Sequence, residues 1–210
     1  DAVITRPDVI HSVENPYRKT GGIAVLKGNI APDGGVIKYS ATVPEMHHHT
    51  GKALVFNSEE AAYDAVIKRQ IPQNSIIVIR YEGEGSGMPE MHMTTDAIVY
   101  DQTLNHSVAL ITDGRFSGAS SDHASAYLAG TVEAVPLPSL KDDLIEIDIP
   151  NRRLNIVGVK GQKKDAEEIT AILAERKKNW KLPQLKPEIP RTAPLLQTGR
   201  LRHAGAYLDV

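Results

Sequence analysis

The chain has 210 residues, of which 41% are hydrophobic and 24% charged, a composition typical of one globular domain with its own core. Its formal net charge of −2 provides no positive field for phosphates, and no apolar run approaches the roughly 20 residues of a membrane span, so neither nucleic acid nor a membrane is expected as a partner. Because the sequence has no cysteine, it cannot form disulfides, zinc–thiolate sites or a cysteine-ligated iron–sulfur cluster of its own.

The two ends of the chain differ in composition from its middle. Residues 1–20 are polar, contain Pro7 and Pro16, and are predicted to form a lead-in linker from an upstream domain. Because this start has neither the basic nor the apolar region of a signal peptide, we expect a cytoplasmic protein. Residues 21–180 are predicted to form the main domain, and the proline-rich residues 181–210 an extended tail.

Short apolar runs separated by turn residues predict a β-rich α+β domain built around a barrel. Asn57 or Ser58 is suited to cap a single early helix over about 58–69, because acidic residues follow in the first turn. A second helix is predicted over 167–178. Strands are predicted at 22–26, 35–39, 53–56, 76–80, 107–112, 143–149 and 153–157, and those at 76–80 and 107–112 have the nearly continuous apolar character of strands buried on both faces.

A glycine-rich acidic loop, residues 81–91, follows the predicted strand at 76–80. Loops in this position commonly carry functional groups. A surface turn with solvated carboxylates explains the same pattern, so the loop alone does not decide between the two interpretations.

A second junction between strand and loop covers residues 111–118 and places Ser117 beside a glycine. A serine in such a setting can present its hydroxyl and the neighbouring amides to a ligand without steric obstruction. The alternative is a tight turn in which Asp113 and Arg115 pair with each other.

Four segments resemble signature segments of the family of dihydroxyacid and sugar-acid dehydratases. They are residues 22–34 (GIAVLKGNIAPDG), 87–91 (GMPEM), 111–118 (ITDGRFSG) and 143–154 (DLIEIDIPNRRL). The first three follow the family's order and its approximate spacing, and the match covers about residues 15–157. Several long motifs in order make the resemblance specific.

The resemblance implies a hydro-lyase that converts a 2,3-dihydroxy acid, either a branched-chain amino-acid precursor or a sugar acid, into a 2-keto acid. It implies an iron–sulfur cluster and Mg²⁺, with the cluster's ligands in an amino-terminal domain that would be this chain's partner. It also implies a swivelling β/β/α fold for the carboxyl-terminal domain. We expect the isolated chain to be inactive and the enzyme to be a homo-oligomer.

By the same resemblance, Glu90 would be a magnesium ligand and Ser117 the catalytic base. A hard divalent cation prefers carboxylate oxygen, and a serine hydroxyl becomes a useful base only where nearby cations stabilise its alkoxide. Arg115, Gly118 and Ser120 are the predicted substrate contacts.

The sequence departs from the family's pattern after Gly118, where ASSDHASAYLAG replaces the usual continuation. This departure leaves open a non-catalytic binding or assembly domain that keeps the barrel without a working site. A stand-alone magnesium enzyme is disfavoured, because only one carboxylate ligand is predicted.

The histidines 47–49 suggest a metal site, but three consecutive side chains of a regular strand cannot all face one ion. We therefore interpret these residues, and the lone His123 and His203, as structural or surface histidines.

Overall fold

The computed structural model describes residues 3–82, 91–116, 127–130, 140–179, 199–202 and 205–208. In these ranges the chain forms eleven strands and three α-helices, with two 3₁₀ turns before the third strand. The strands are β1 (Ala24–Leu26), β2 (Gly35–Ile37), β3 (His48–Phe56), β4 (Ile76–Ile79), β5 (Ala109–Thr112), β6 (Tyr127–Gly130), β7 (Leu144–Asp148), β8 (Arg153–Val159), β9 (Gln162–Lys163), β10 (Gly199–Arg202) and β11 (Gly205–Leu208). The helices are α1 (Glu59–Ile67), α2 (His92–Tyr100) and α3 (Ala166–Asn179).

Nine of these strands form one mixed sheet in the order β1-β2-β6-β5-β4-β3-β7-β8-β9, and β10 pairs with β11 separately. The centre of the sheet is parallel: β3, β4, β5 and β6 run in the same direction, and α1 and α2 connect β3 to β4 and β4 to β5. The strands on either side are antiparallel. The α+β class predicted from the sequence is thereby confirmed.

Both faces of the parallel centre are buried, as the continuous apolar runs predict. All four residues of β4 and all four of β5 are buried. Ile76 and Val78 face one apolar cluster, which also includes Ile169 of α3. Ile77 and Ile79 face the second cluster, which packs beneath α1 and α2.

Most predicted elements are confirmed near their predicted positions. Ser58 caps α1 by accepting a hydrogen bond from the Ala61 amide at 3.2 Å. The predicted hairpin of β7 and β8 is present, with Asp148 opposite Arg153. The third strand begins five residues earlier than predicted, because residues 48–52 pair with β7 before residues 53–56 pair with β4.

The prediction of a single early helix is wrong, because α2 follows α1 within the parallel part of the sheet. No helix within the described ranges combines the length and the apolar character needed to cross a bilayer. The predicted tail over 181–210 lies outside the described residues except for β10 and β11.

Residues 27–29, which directly follow β1, bond to β8 and to the residue before it. In the strand order of the sheet, β1 is the first strand and β8 the last but one, so this contact joins the two ends of the order. The Lys27 amide donates to the Arg152 carbonyl at 2.9 Å, and the Leu154 amide donates to the Lys27 carbonyl at 3.0 Å. The Asn29 side chain bonds both backbone groups of Ile156, at 2.7 and 3.0 Å. Two of the signature segments, 22–34 and 143–154, therefore meet in space.

Gly28 has a steric reason to be glycine at this junction. A Cβ atom there would lie 2.0 Å from the Leu154 carbonyl oxygen, far inside van der Waals contact. The barrel-like form predicted for the sheet is nevertheless not confirmed. The strand order begins with β1 and finishes with β9, and these two edge strands are not paired with each other.

Candidate functional site

The carboxyl ends of β3, β4 and β5 lie side by side, and we call this end of the strands the carboxyl edge of the sheet. Phe56 lies opposite Ile79, and Ile79 lies opposite Thr112, so the three strands end at the same level. Open parallel sheets bind ligands at this edge, where the connecting loops leave the strands. The loops that follow β4 and β5 are the two that the sequence singled out.

The loop after β4 begins with Arg80 and Tyr81. The Arg80 Nε donates to Asn57 Oδ1 at 2.6 Å, and its guanidinium lies 4.9 Å from the centre of the Tyr81 ring. Burial lowers the pKa of Arg80 below its ordinary value. Tyr81 has a backbone φ of 66°, a conformation that residues other than glycine rarely adopt. This turn therefore needs surrounding contacts to hold it.

Asp113, the first residue after β5, supplies those contacts. Its Oδ2 accepts from the Tyr81 amide at 2.7 Å, and its Oδ1 accepts from the Glu82 amide at 3.0 Å. Burial raises the pKa of the Asp113 carboxyl above its ordinary value, more than the two amide donors lower it. Among the described residues, the partners of Asp113 thus lie on the neighbouring loop and not on Arg115.

Glu82 extends the connection to the two helices. It is 1% exposed, and its Oε1 accepts from the amide of Glu59 at 2.9 Å. The Oε1 of Glu59 in turn accepts from the Thr94 amide at 3.2 Å, near the start of α2. A series of three carboxylates, two buried and Asp113 partly buried, therefore links the loop after β5, the loop after β4 and the first turns of α1 and α2.

Gly114 and Arg115 continue the loop after β5. The Gly114 amide donates to Thr112 Oγ1 at 3.0 Å, and a Cβ atom on Gly114 would lie 2.7 Å from the Glu82 carbonyl oxygen, so the two loops are in close contact. Arg115, a predicted substrate contact, is partly buried, and its Nη1 donates to the Gly114 carbonyl at 3.2 Å.

The other predicted site residues, Glu90, Ser117, Gly118 and Ser120, lie outside the described residues. Their roles and their mutual distances stay predictions. The residue after Glu90 and the residue before Ser117 are described, however. Met91 is fully buried in the apolar cluster beneath α1 and α2, and Phe116 packs against the same cluster.

The local sequence does not mark Glu59 and Glu82 as residues of the site, and for Asp113 it suggests only a pair with Arg115. Glu82 belongs to the acidic loop for which solvated carboxylates were one interpretation, yet its side chain is buried. The signal in the sequence is that a charged residue, Asp113, directly follows the buried strand β5. The amides to which it bonds, however, are about 30 residues away in the chain.

The three consecutive histidines point in different directions. His47 ends a 3₁₀ turn, while His48 and His49 begin β3. His48 is exposed, with Nδ1 3.6 Å from Asp148 Oδ2, whereas His49 is buried and its pKa is lowered by that burial. Within the described part of the chain, no group of three His, Asp or Glu side chains is arranged to hold a metal ion. His123 and His203 lie outside it.

Comparison with known proteins gives one consistent result. Residues 8–200 match the family described as dihydroxy-acid/6-phosphogluconate dehydratase C-terminal. A dihydroxy-acid dehydratase of Lachnoclostridium phytofermentans is 52% identical over 159 residues, which cover 72% of this chain and 28% of that protein. The dihydroxy-acid dehydratases of Agathobacter rectalis and Caldanaerobacter subterraneus are each 45% identical, over 99% and 89% of this chain and 34% and 32% of their own lengths.

The chain spans about a third of the length of these curated relatives. The matched segment lies in the part that the family description calls C-terminal, and it includes both loops at the carboxyl edge of the sheet. The chain therefore belongs to the family of dihydroxy-acid/6-phosphogluconate dehydratase C-terminal domains.

Proposed function

We propose that this chain is the carboxyl-terminal part of a hydro-lyase that converts a 2,3-dihydroxy acid into a 2-keto acid. The reaction class is that named for the relatives. The observation that carries the proposal is the packing of Met91 and Phe116 in one apolar cluster. Met91 directly follows Glu90 and Phe116 directly precedes Ser117, so both proposed site residues adjoin residues that contact the same apolar cluster.

Ser117 is the proposed base. In this reaction it takes the proton from the carbon that bears the carboxylate and a hydroxyl, and the hydroxyl on the next carbon takes up one proton and leaves as water. The resulting enol then becomes the 2-keto acid, as its hydroxyl loses a proton and the carbon that lost the water gains one. Arg115, Gly118 and Ser120 are the proposed substrate contacts on the same loop. A guanidinium two residues before the base suits an anionic substrate.

Glu90 is the proposed Mg²⁺ ligand. Its carboxylate is the donor type that a hard divalent cation prefers, so this residue fits the ion. One carboxylate does not complete a magnesium site, and the remaining ligands would come from the amino-terminal part of the enzyme. When bound, Mg²⁺ stabilises negative charge that develops on substrate oxygens.

The chain does not fit the iron–sulfur cluster in the same way. It has no cysteine, so any cysteine ligands of such a cluster would have to lie outside this sequence. The amino-terminal domain is therefore the proposed partner for the cluster. The cytoplasmic location and the homo-oligomer stay predictions from the sequence.

We also propose that the sheet has the barrel-like form of a swivelling β/β/α domain. The support is the connection at residues 27–29, where backbone hydrogen bonds join the β1 end of the sheet order to β8. The close approach of Gly28 to Leu154 and the two bonds from Asn29 to Ile156 hold this junction together.

The test is an assay of the whole enzyme that contains this chain, loaded with cluster and Mg²⁺, for 2-keto acid release. A branched-chain dihydroxy acid and a sugar acid serve as separate substrates. We expect turnover of at least one of them. The 210-residue chain alone should show no turnover and no iron–sulfur absorbance, because it has no thiolate ligands. Absence of keto acid from both substrates with the whole, loaded enzyme would refute the proposed function.

A further inference from the structure

We infer that Asp113 is a positioning residue that holds the loop of Glu90 and the loop of Ser117 in register with each other. It does so through the backbone amides of Tyr81 and Glu82. The inference rests on the proposed function, since it assigns Asp113 a task only if the two loops share one site.

The geometry of the hydrogen bonds supports this role. The two carboxylate oxygens of Asp113 each accept from a different backbone amide, at 2.7 and 3.0 Å, so the side chain clamps two consecutive peptide units of the other loop. Charge-assisted bonds of this kind are roughly twice as strong as neutral ones. They also stabilise Tyr81 in its left-handed conformation, which sets the direction in which the chain leaves β4.

The residues that flank the segment 83–90 are also bonded to the same series of carboxylates. At its start, Glu82 is bonded to Asp113 through its amide and to Glu59 through its side chain. Just beyond its end, the Thr94 amide is bonded to Glu59. Thr94 and Met91 are both fully buried, so the return of the chain into the core is fixed as well.

Asp113 itself belongs to the loop of the proposed base. It lies four residues before Ser117, and the next residue, Gly114, is packed against the Glu82 carbonyl. A shift of Asp113 relative to Glu82 would therefore change the spacing between the two loops. A misplacement of about 1 Å at a reacting group can lower a rate by about 10²-fold.

The test uses the whole enzyme with Asp113→Ala, which removes both acceptors, and Asp113→Asn, which keeps one. Kinetics are measured well below the unfolding temperature of each variant. We expect kcat to fall by about 10²-fold for Ala and about tenfold for Asn, with a smaller change in KM. Hydrogen exchange at the amides of Tyr81 and Glu82 should accelerate in the same order. A merely structural role would lower the unfolding temperature and leave kcat per folded molecule unchanged.

Asp101→Ala is the matched control. Asp101 also accepts from a backbone amide, that of Thr103 at 2.8 Å, but it follows α2 and so lies toward the amino ends of the strands. Its loss should affect stability without changing kcat.

The outcomes separate the inference from the proposed function. If Ser117→Ala abolishes turnover while Asp113→Asn and Asp113→Ala stay within about twofold of wild type, the positioning role is wrong and the proposed function stands. If the whole enzyme does not dehydrate either substrate, the proposed function itself fails. Should Asp113→Ala not fold, Asp113→Asn decides by the same twofold criterion.

Discussion

Replacing Ser117 by alanine in the whole enzyme is expected to lower turnover by at least about 10²–10⁴-fold, the contribution usually made by a general base. The change removes one hydroxyl from a loop that follows β5, so the stability cost should be within about 1 kcal/mol. Because the lost interaction matters mainly in the transition state, KM should change little while kcat falls. Steady-state kinetics of wild type and variant on a dihydroxy acid measure this directly.

Ser107→Ala is the matched control for that experiment. The Ser107 hydroxyl donates to the Thr103 carbonyl at 2.8 Å, just before β5 and therefore at the opposite edge of the sheet. Its removal should leave kcat near the wild-type value. Near-normal turnover in the Ser117 variant would mean that Ser117 is only a turn residue and that another group is the base.

Replacing Arg176 by methionine is expected to lower the free energy of unfolding by about 3–5 kcal/mol, because it leaves a buried charge without its partner. The Asp143 side chain is completely buried and that of Arg176 is 14% exposed. The Arg176 guanidinium contacts both carboxylate oxygens, with Nη2 3.3 Å from Oδ1. The Lys160 amide also donates to Asp143 Oδ1, at 3.2 Å.

This ion pair joins α3 to the residue before β7, and Ile169 of the same helix packs in the core. Urea unfolding of the 210-residue chain measures its contribution. Lys68→Met is a suitable control, because the Lys68–Asp64 pair is 2.7 Å long but about 60% exposed on both sides, and such surface pairs contribute at most about 1 kcal/mol. A loss below about 1 kcal/mol for the Arg176 variant would show that the pair adds little stability.

Local sequence signals are sufficient to predict the elements that depend on residues close together in the chain. β4 is apolar at every position and β5 at every position but its last, Thr112, as expected of strands covered on both faces, and α1 starts at a serine whose hydroxyl makes the capping bond. The hairpin of β7 and β8 was predictable from alternation and a turn.

The elements that were missed depend on tertiary contacts. α2 begins after Met91, which has φ of 56° and makes no side-chain capping bond. Its β-branched residues, Thr94, Thr95 and Val99 among them, have modest helix propensity. The helix is stabilised by the Glu59–Thr94 hydrogen bonds and by its burial against the cluster that α1 also covers.

The candidate site was predictable only in part for the same reason. Motif resemblance indicated Glu90 and Ser117, but the roles of Asp113, Glu82 and Glu59 arise from contacts between residues 23 to 35 positions apart. Nothing in the local sequence distinguishes a buried carboxylate that bonds to another loop from a solvated one.

The distance between the Glu90 carboxylate and the Ser117 hydroxyl tests the account most directly. It can be measured in a crystal structure of the whole enzyme with Mg²⁺ and a dihydroxy acid bound. A metal ion and a small substrate bridge contacts of roughly 2–3 Å each, so we expect the two groups to face one cleft less than about 15 Å apart. A larger separation, or side chains that point into different clefts, would contradict a shared site.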